Sequence, residues 1–312
     1  MNKQYIPDSY LLFSPVRDTY GKRLALVFGN EFTKGECPFY TAGQCFHCDI
    51  GAGEGTQFSP EMNVQRLEFF KQHYKDVLPS VAHLVIYNSG SVLNPKEMSR
   101  DTLKNILTYS TSLDSCRVIS VDSREQFITK GSLEYLLRHV RGDQQPRLIL
   151  GLESQSDDIR IGKLNKRMLK KNIESAFFSI GSYKGQIGVD INIVFQPPEL
   201  VGWMAIRDSV DTLKYALRLG REYHVPVDFN FHPYYPSKKS KKLYPLHPRA
   251  NLQNAKTALV EMRHEIERQD FDSQIFIGWQ DESHDQEQPT RLSELTHVAK
   301  TLDNFNISQR VD

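Results

Sequence analysis

The chain has 312 residues, of which 39% are hydrophobic, with 39 basic against 38 acidic side chains and a net charge of +1. That length suits an α/β domain with a large core, and the balanced charge excludes a strong whole-chain hold on nucleic acid or on an anionic membrane. No stretch approaches the roughly 20 apolar residues of a spanning helix, and the first residues lack the apolar run of a signal peptide, so a cytoplasmic protein with no membrane partner is expected.

Residues 1–22 read as an irregular N-terminal segment carrying Pro7 and Pro15. RLALVFG (23–29) follows as a short buried strand. Ser59-Pro60-Glu61 then opens a helix with a cap residue, proline at the first position and an early acid; the helix is expected to run to Val77. Strands and helices alternate from there. Strands are expected at 82–88, 116–121, 147–152, 189–195 and 225–231, with helices at 97–112, 124–140, up to about 180, and at 203–223. Six strands rich in β-branched or aromatic residues, separated by helical patterns, specify a parallel sheet with crossover helices. QIFIGW (274–279) reads as an additional strand after a helix at about 251–269, and 289–303 reads as helical.

Between the first strand and the first helix lies ECPFYTAGQCFHCDIGAGEG (36–55), which holds three of the four cysteines: Cys37, Cys45 and Cys48, spaced C-x7-C-x2-C. Glycines 35, 43, 51, 53 and 55 let this loop bend sharply and bring backbone N–H groups close to its contents. A structural zinc site wants four closed ligands, whereas an iron–sulfur cluster on three cysteines keeps one iron open. Zinc with His47 or Asp49 as fourth ligand, in a non-enzymatic binding module, is the alternative. Cys116 opens a β-branched strand and reads as a buried apolar residue.

Alternation alone does not separate an open doubly wound sheet from a barrel, but in both the chemistry gathers at the carboxyl ends of the strands. The six strands run into the cysteine loop, Asn88-Ser89-Gly90-Ser91, Asp122-Ser123-Arg124, Glu153-Ser154-Gln155, Gln196-Pro197-Pro198 and His232-Pro233. Polar or turn-forming residues at every end look like a ring of ligands around a barrel mouth.

With the three cysteines after the first strand and NSGS (88–91) after the second, the sequence resembles the radical S-adenosylmethionine superfamily. YNSGSVLNPKEM (87–98), LGLESQSDDIRIGKLNK (150–166) and FQPPEL (195–200) make it similar to the subgroup of the Elongator catalytic-subunit radical domain and the archaeosine-forming radical lyase, over roughly residues 23–235. It departs from the superfamily in its seven-residue cysteine gap, in His47 where an aromatic often stands, and in Asp122 where a glutamate is expected.

The resemblance implies an α/β fold, a partial (β/α)6 TIM-like barrel over 23–235 with a C-terminal extension (236–312) packing on it. It also implies a [4Fe–4S] cluster on Cys37, Cys45 and Cys48 that cleaves S-adenosyl-L-methionine reductively, and an external flavodoxin- or ferredoxin-like electron donor. Within that frame each part of S-adenosylmethionine has a candidate ligand. Asn88, Ser89, Gly90 and Ser91 suit its amino group, Glu153 its ribose diol, and Arg124, with Arg160 in reserve, its carboxylate; Gln196 and Pro197 adjoin the adenine, and Asp122 completes the ring. The substrate is expected to be a modified tRNA base or a small metabolite. The lysines at 238, 239, 241 and 242 offer a basic loop for phosphates.

Overall fold

The computed structural model describes residues 12–33, 36–48, 58–278 and 296–310. Asp49, glycines 35, 51, 53 and 55, Trp279 at the end of the 274–279 segment, and the part of the expected 289–303 helix before 296 lie outside the described residues.

One sheet of eight strands organises the molecule, in spatial order β1 to β8: β1 (Val16–Asp18), β2 (Gly21–Phe28), β3 (Val81–Asn88), β4 (Val118–Asp122), β5 (Gln145–Glu153), β6 (Gly188–Phe195), β7 (Val227–Pro233) and β8 (Ile275–Ile277). β1 pairs antiparallel with β2, and every later pair is parallel. Parallel strands that neighbour each other in chain order, joined by helices, wrap into a partial TIM-like barrel. The six expected strands are β2 to β7, and the additional one is β8. β1 is a strand that the proline-bearing N-terminal segment does not announce, because three residues are too short for a periodic signal.

The helices are α1 (Pro38–Thr41), α2 (Pro60–His73), α3 (Arg100–Thr111), α4 (Lys130–Arg138), α5 (Lys170–Gly181), α6 (Trp203–Tyr223), α7 (Lys238–Leu243), α8 (Leu252–Arg268) and α9 (Thr296–Ser308). Their starts follow the sequence. Ser59 accepts from Met62 N–H at 3.3 Å ahead of Pro60, and Thr129 and Ser132 form a reciprocal capping box. β2, β3 and β5 are buried on both faces along most of their length, so their sequences hold near-continuous apolar runs, whereas β6 and β7 interrupt theirs with Asp190, Asn192, Asp228 and Asn230.

Two features close the barrel without β8 pairing to β1. At the amino ends of the strands, Asp18, Arg23, His83, Ser120, Arg147, Asp190 and Asp228 form one buried network. Arg147 reaches Asp190 at 2.5 Å and Asp228 at 2.8 Å, His83 reaches Asp18 at 2.6 Å, and Ser120 Oγ donates to Asp190 at 2.7 Å. Along the seam, α9 packs on β8 and β1 and pairs the open edge of β8 through side-chain amides. Ile275 N–H donates to Gln309 Oε1 at 2.8 Å and Ile277 N–H to Asn306 Oδ1 at 2.6 Å, and the two amide nitrogens donate back to the same residues' carbonyls. These amides satisfy an edge that would otherwise be a template for pairing.

Candidate active site at the barrel mouth

The three-cysteine loop is shaped by local chemistry and then sewn to the opposite wall. Pro38 forces Cys37 into an extended conformation (φ −70°, ψ 127°) and starts α1. Gly43 (φ +74°) and Cys45 (φ +53°) turn the chain back through the left-handed region. Cys45 N–H donates to Asn165 O at 3.2 Å, Phe46 N–H to Leu164 O at 3.0 Å, and Asn165 Nδ2 to Gly43 O at 2.8 Å. Cys48 N–H closes a tight turn onto Cys45 O at 3.1 Å.

All three cysteines line a cavity of about 210 Å³ at the carboxyl ends of the strands. Asn88, Gly90, Ser91, Asp122, Arg124 and Glu153 line it with them. Burial pushes the Cys37 thiol up to about 11, and neighbouring Cys45 adds to the shift, so a thiolate there needs a cationic partner. Cys116 is fully buried, with its Sγ on Val118 O at 3.4 Å, and takes no part in the cavity. Among the described residues no three His, Cys, Asp or Glu side chains converge to hold a single ion. His47, which with Asp49 is a candidate fourth ligand in the zinc alternative, points its Nε2 at Glu153 Oε1, 3.4 Å away.

Three of the expected ligands do not line the cavity. Ser89 is buried, its N–H donating to Phe28 O at 2.9 Å, which ties the end of β3 to β2. Gln196 (φ +59°) turns away from the mouth and uses its side chain on the 249–251 segment, donating to Arg249 O at 2.9 Å and accepting from Asn251 N–H at 3.1 Å. Pro197 follows it, its carbonyl accepting from Leu200 N–H. Arg160 is likewise spent on the fold. Fully buried, it donates to Ser154 O, Gln155 O and Met168 O and pairs with Asp157, holding the π-helical turn of 158–163 under the site.

Two of the remaining candidates, Asn88 and Arg124, each keep a buried polar atom without a hydrogen-bond partner among the described residues. Asn88 is 3% exposed and its Oδ1 has no partner among the described residues. Arg124 lies over the Phe39 ring at 3.8 Å, donates Nη2–H to Lys166 O at 2.8 Å and pairs its Nε with Glu125 Oε2 at 3.6 Å, while Nη1 is buried with no hydrogen-bond acceptor among the described residues. Gly90 (φ +132°) has glycine's freedom for a physical reason, since a Cβ there would overlap Glu97 Oε2. Glu97 accepts from Ser91 N–H at 2.7 Å and from Asn94 Nδ2 at 2.5 Å, and so builds the 88–91 turn from beneath.

Lys166 is a site residue that the sequence pattern did not single out: it stands in a loop after an irregular helix and carries no periodic signal. It is buried and pairs with Glu153 at the end of β5, where Glu153 sits at φ +65°. Burial would raise the Glu153 carboxyl, but Lys166 and His47 outweigh it and hold the group below the usual carboxylate range. Gly151 makes room for the pair, because a Cβ there would collide with Lys166 Nζ. The far wall is formed by Asn192, Val194, His232, Tyr234 and Tyr235. His232 Nδ1 lies 3.1 Å from Gly278 O.

SuiB of Streptococcus suis, bound to S-adenosylmethionine, matches with a TM-score of 0.55 at 12% identity, covering 82% of this chain and 50% of SuiB. The chain shares the fold of the half of SuiB that it matches. SuiB bound to its precursor peptide SuiA matches with a TM-score of 0.53 over 80% of this chain and 48% of that one, again at 12% identity. In sequence, an uncharacterized protein of Methanocaldococcus jannaschii, MJ0550, is 22% identical over 203 residues, 64% of this chain and 53% of that one. The chain thus spans about half the length of these proteins. No protein-family model matches it.

Proposed function

We propose that the protein is a radical S-adenosylmethionine enzyme, with a [4Fe–4S] cluster on Cys37, Cys45 and Cys48 and S-adenosylmethionine in the adjoining cavity. The observation that carries this reading is the meeting of three cysteines, an orphaned acceptor on Asn88 and the Arg124 guanidinium, with its unpartnered Nη1, around one cavity. These groups match the zwitterionic end of the cofactor: a cationic amino group needs the Asn88 oxygen, and a carboxylate needs a cationic N–H donor such as Arg124 Nη1. Glu153, kept ionised by Lys166, supplies the acceptor for a ribose diol. The likeness to a protein solved with S-adenosylmethionine supports the same reading.

When bound, the reduced cluster would split S-adenosylmethionine into methionine and a 5′-deoxyadenosyl radical, which takes a hydrogen atom from the substrate. The chain's own residues position that event and keep water from it. Of the two expected substrate classes, a small polar metabolite such as an amino acid or nucleoside fits better than a tRNA base. The far wall of the cavity presents an amide, an imidazole and tyrosines, and one of the four lysines of the expected phosphate surface, Lys239, is used inside the fold.

Anaerobic incubation of the reconstituted protein with dithionite and S-adenosylmethionine tests the assignment: 5′-deoxyadenosine should form. Asn88→Ala should retain the cluster spectrum and lose about tenfold to a hundredfold in S-adenosylmethionine affinity, the equivalent of one hydrogen bond to a charged group at about 1.5–3 kcal/mol. Unchanged affinity in calorimetry would remove Asn88 from the site.

A further inference from the structure

The short helix α7 is joined to the cysteine loop at both ends of that loop's described part. Ser237, its cap, donates Oγ–H to the carbonyl of Phe46, between Cys45 and Cys48. Lys239 donates Nζ–H to the carbonyl of Tyr40 in α1, just after Cys37, and lies over the Tyr40 ring at 3.2 Å. Tyr244, which ends the helix, donates its hydroxyl to Lys163 O at 3.2 Å, next to the segment that pins Cys45 and Phe46. Ser240 faces inward and is buried. The opposite face carries Lys241 and Lys242, both exposed, with Leu243 50% and Leu246 95% exposed beside them.

We infer that this outer face of α7 is the docking surface for an acidic one-electron carrier protein that reduces the cluster. The inference rests on the cluster assignment above. A protein seated there would be separated from the cysteine backbone by little more than the thickness of one helix, about 10 Å. The surface is a small apolar patch edged by lysines in a chain that is otherwise near neutral, which is the form a weak, electrostatically steered electron-transfer encounter needs. One electron would pass from the donor's reduced flavin to the cluster, leaving the donor oxidised by one electron and requiring no proton or further reactant from this chain. RNA fits the surface less well. Base stacking wants exposed rings, and both nearby tyrosines are engaged: Tyr40 lies under Lys239, and the Tyr244 hydroxyl is bonded to Lys163 O. An aliphatic side chain as exposed as Leu246 suits a protein partner.

The probe is a reduced flavodoxin, with binding read by flavin fluorescence on cluster-free protein and reduction read separately on the reconstituted protein. The double variant Lys241→Glu/Lys242→Glu should weaken flavodoxin binding at least about tenfold at about 20 mM salt and by less than about twofold at about 0.5 M, where charges are screened within a few ångströms. Leu246→Ser should weaken binding at both salt concentrations, and Lys104→Glu on the exposed face of α3 should change nothing. Dithionite-driven formation of 5′-deoxyadenosine should be the same in all variants. Unchanged flavodoxin binding in the double variant, with dithionite-driven cleavage intact, overturns the docking surface alone. A loss of total-tRNA binding in place of flavodoxin binding overturns it in favour of RNA. Absence of dithionite-driven cleavage in the unmodified protein refutes the cluster assignment and the docking proposal with it.

Discussion

Replacing Lys166 by methionine keeps the length of the side chain and removes the charge that holds Glu153 ionised inside the barrel mouth. Two unit charges about 4 Å apart attract by about 4 kcal/mol at an effective dielectric of about 20. Removing one partner of such a buried pair costs about 3–5 kcal/mol, because the other charge is left desolvated. In the unmodified protein the folded pKa of Glu153 is depressed below its unfolded value of about 4.3. Its pair therefore stabilises the fold above that value, and the stabilisation is lost as pH falls toward the depressed folded pKa. In Lys166→Met burial dominates and the folded pKa rises above about 4.3. The sign then reverses: the carboxyl favours the fold when protonated, and stability is lost as pH rises through the raised pKa, at up to about 1.4 kcal/mol per pH unit. Urea unfolding of cluster-free protein from about pH 5 to 8 measures this. Glu153→Gln/Lys166→Met, which removes both charges, should recover most of the loss at neutral pH. Parallel pH profiles for the unmodified protein and Lys166→Met would show that the pair does not set the ionisation of Glu153.

Two further outcomes test the site and the seam. Cys37→Ala, Cys45→Ala and Cys48→Ala should each lose reconstituted iron and the broad visible absorption of an iron–sulfur protein, while Cys116→Ala should keep both; full iron loading in Cys45→Ala would contradict the ligand set. Asn306→Leu and Gln309→Leu each strip the β8 edge of a two-way amide bond and should each lower stability by about 1–3 kcal/mol, read as a drop in the urea midpoint, with the cluster retained in folded protein.

Most of the barrel was legible because its strands are buried on both faces. Runs such as RLILGL (147–152) have no reason to be that apolar outside a covered parallel sheet, and the caps at Ser59 and Thr129 mark helix starts by local hydrogen bonds that sequence spacing exposes. That the cysteines and most of the strand-end candidates gather around one cavity was legible for a related reason: strand ends share one rim of the barrel, and strand ends can be counted. What sequence could not reveal depends on contacts between distant segments. Arg160 and Arg124 are chemically alike, yet one is consumed by carbonyls of its own loop and the other lines the cavity with Nη1 left without an acceptor among the described residues. Lys166 meets Glu153 across the irregular, π-helical turn of 158–163, which sequence spacing does not announce. Lys239 reads as one of four solvated lysines until the fold lays it across Tyr40.

The charged floor of the barrel has a consequence for how this fold can vary. Its seven members come one from each of β1 to β7, and each is placed by the register of its own strand. A slip of one residue in any strand would turn its contribution to the opposite face and strand a charge or a hydroxyl in the interior. The ring therefore works as a parity check on the whole sheet, passed only when seven independent registers agree. A chimera that borrows a single strand from another barrel should fail that check even where the borrowed strand packs well, whereas one that borrows strand and floor residue together should pass. The loops at the other end carry no such constraint, which leaves the mouth open to divergence while the floor holds the count.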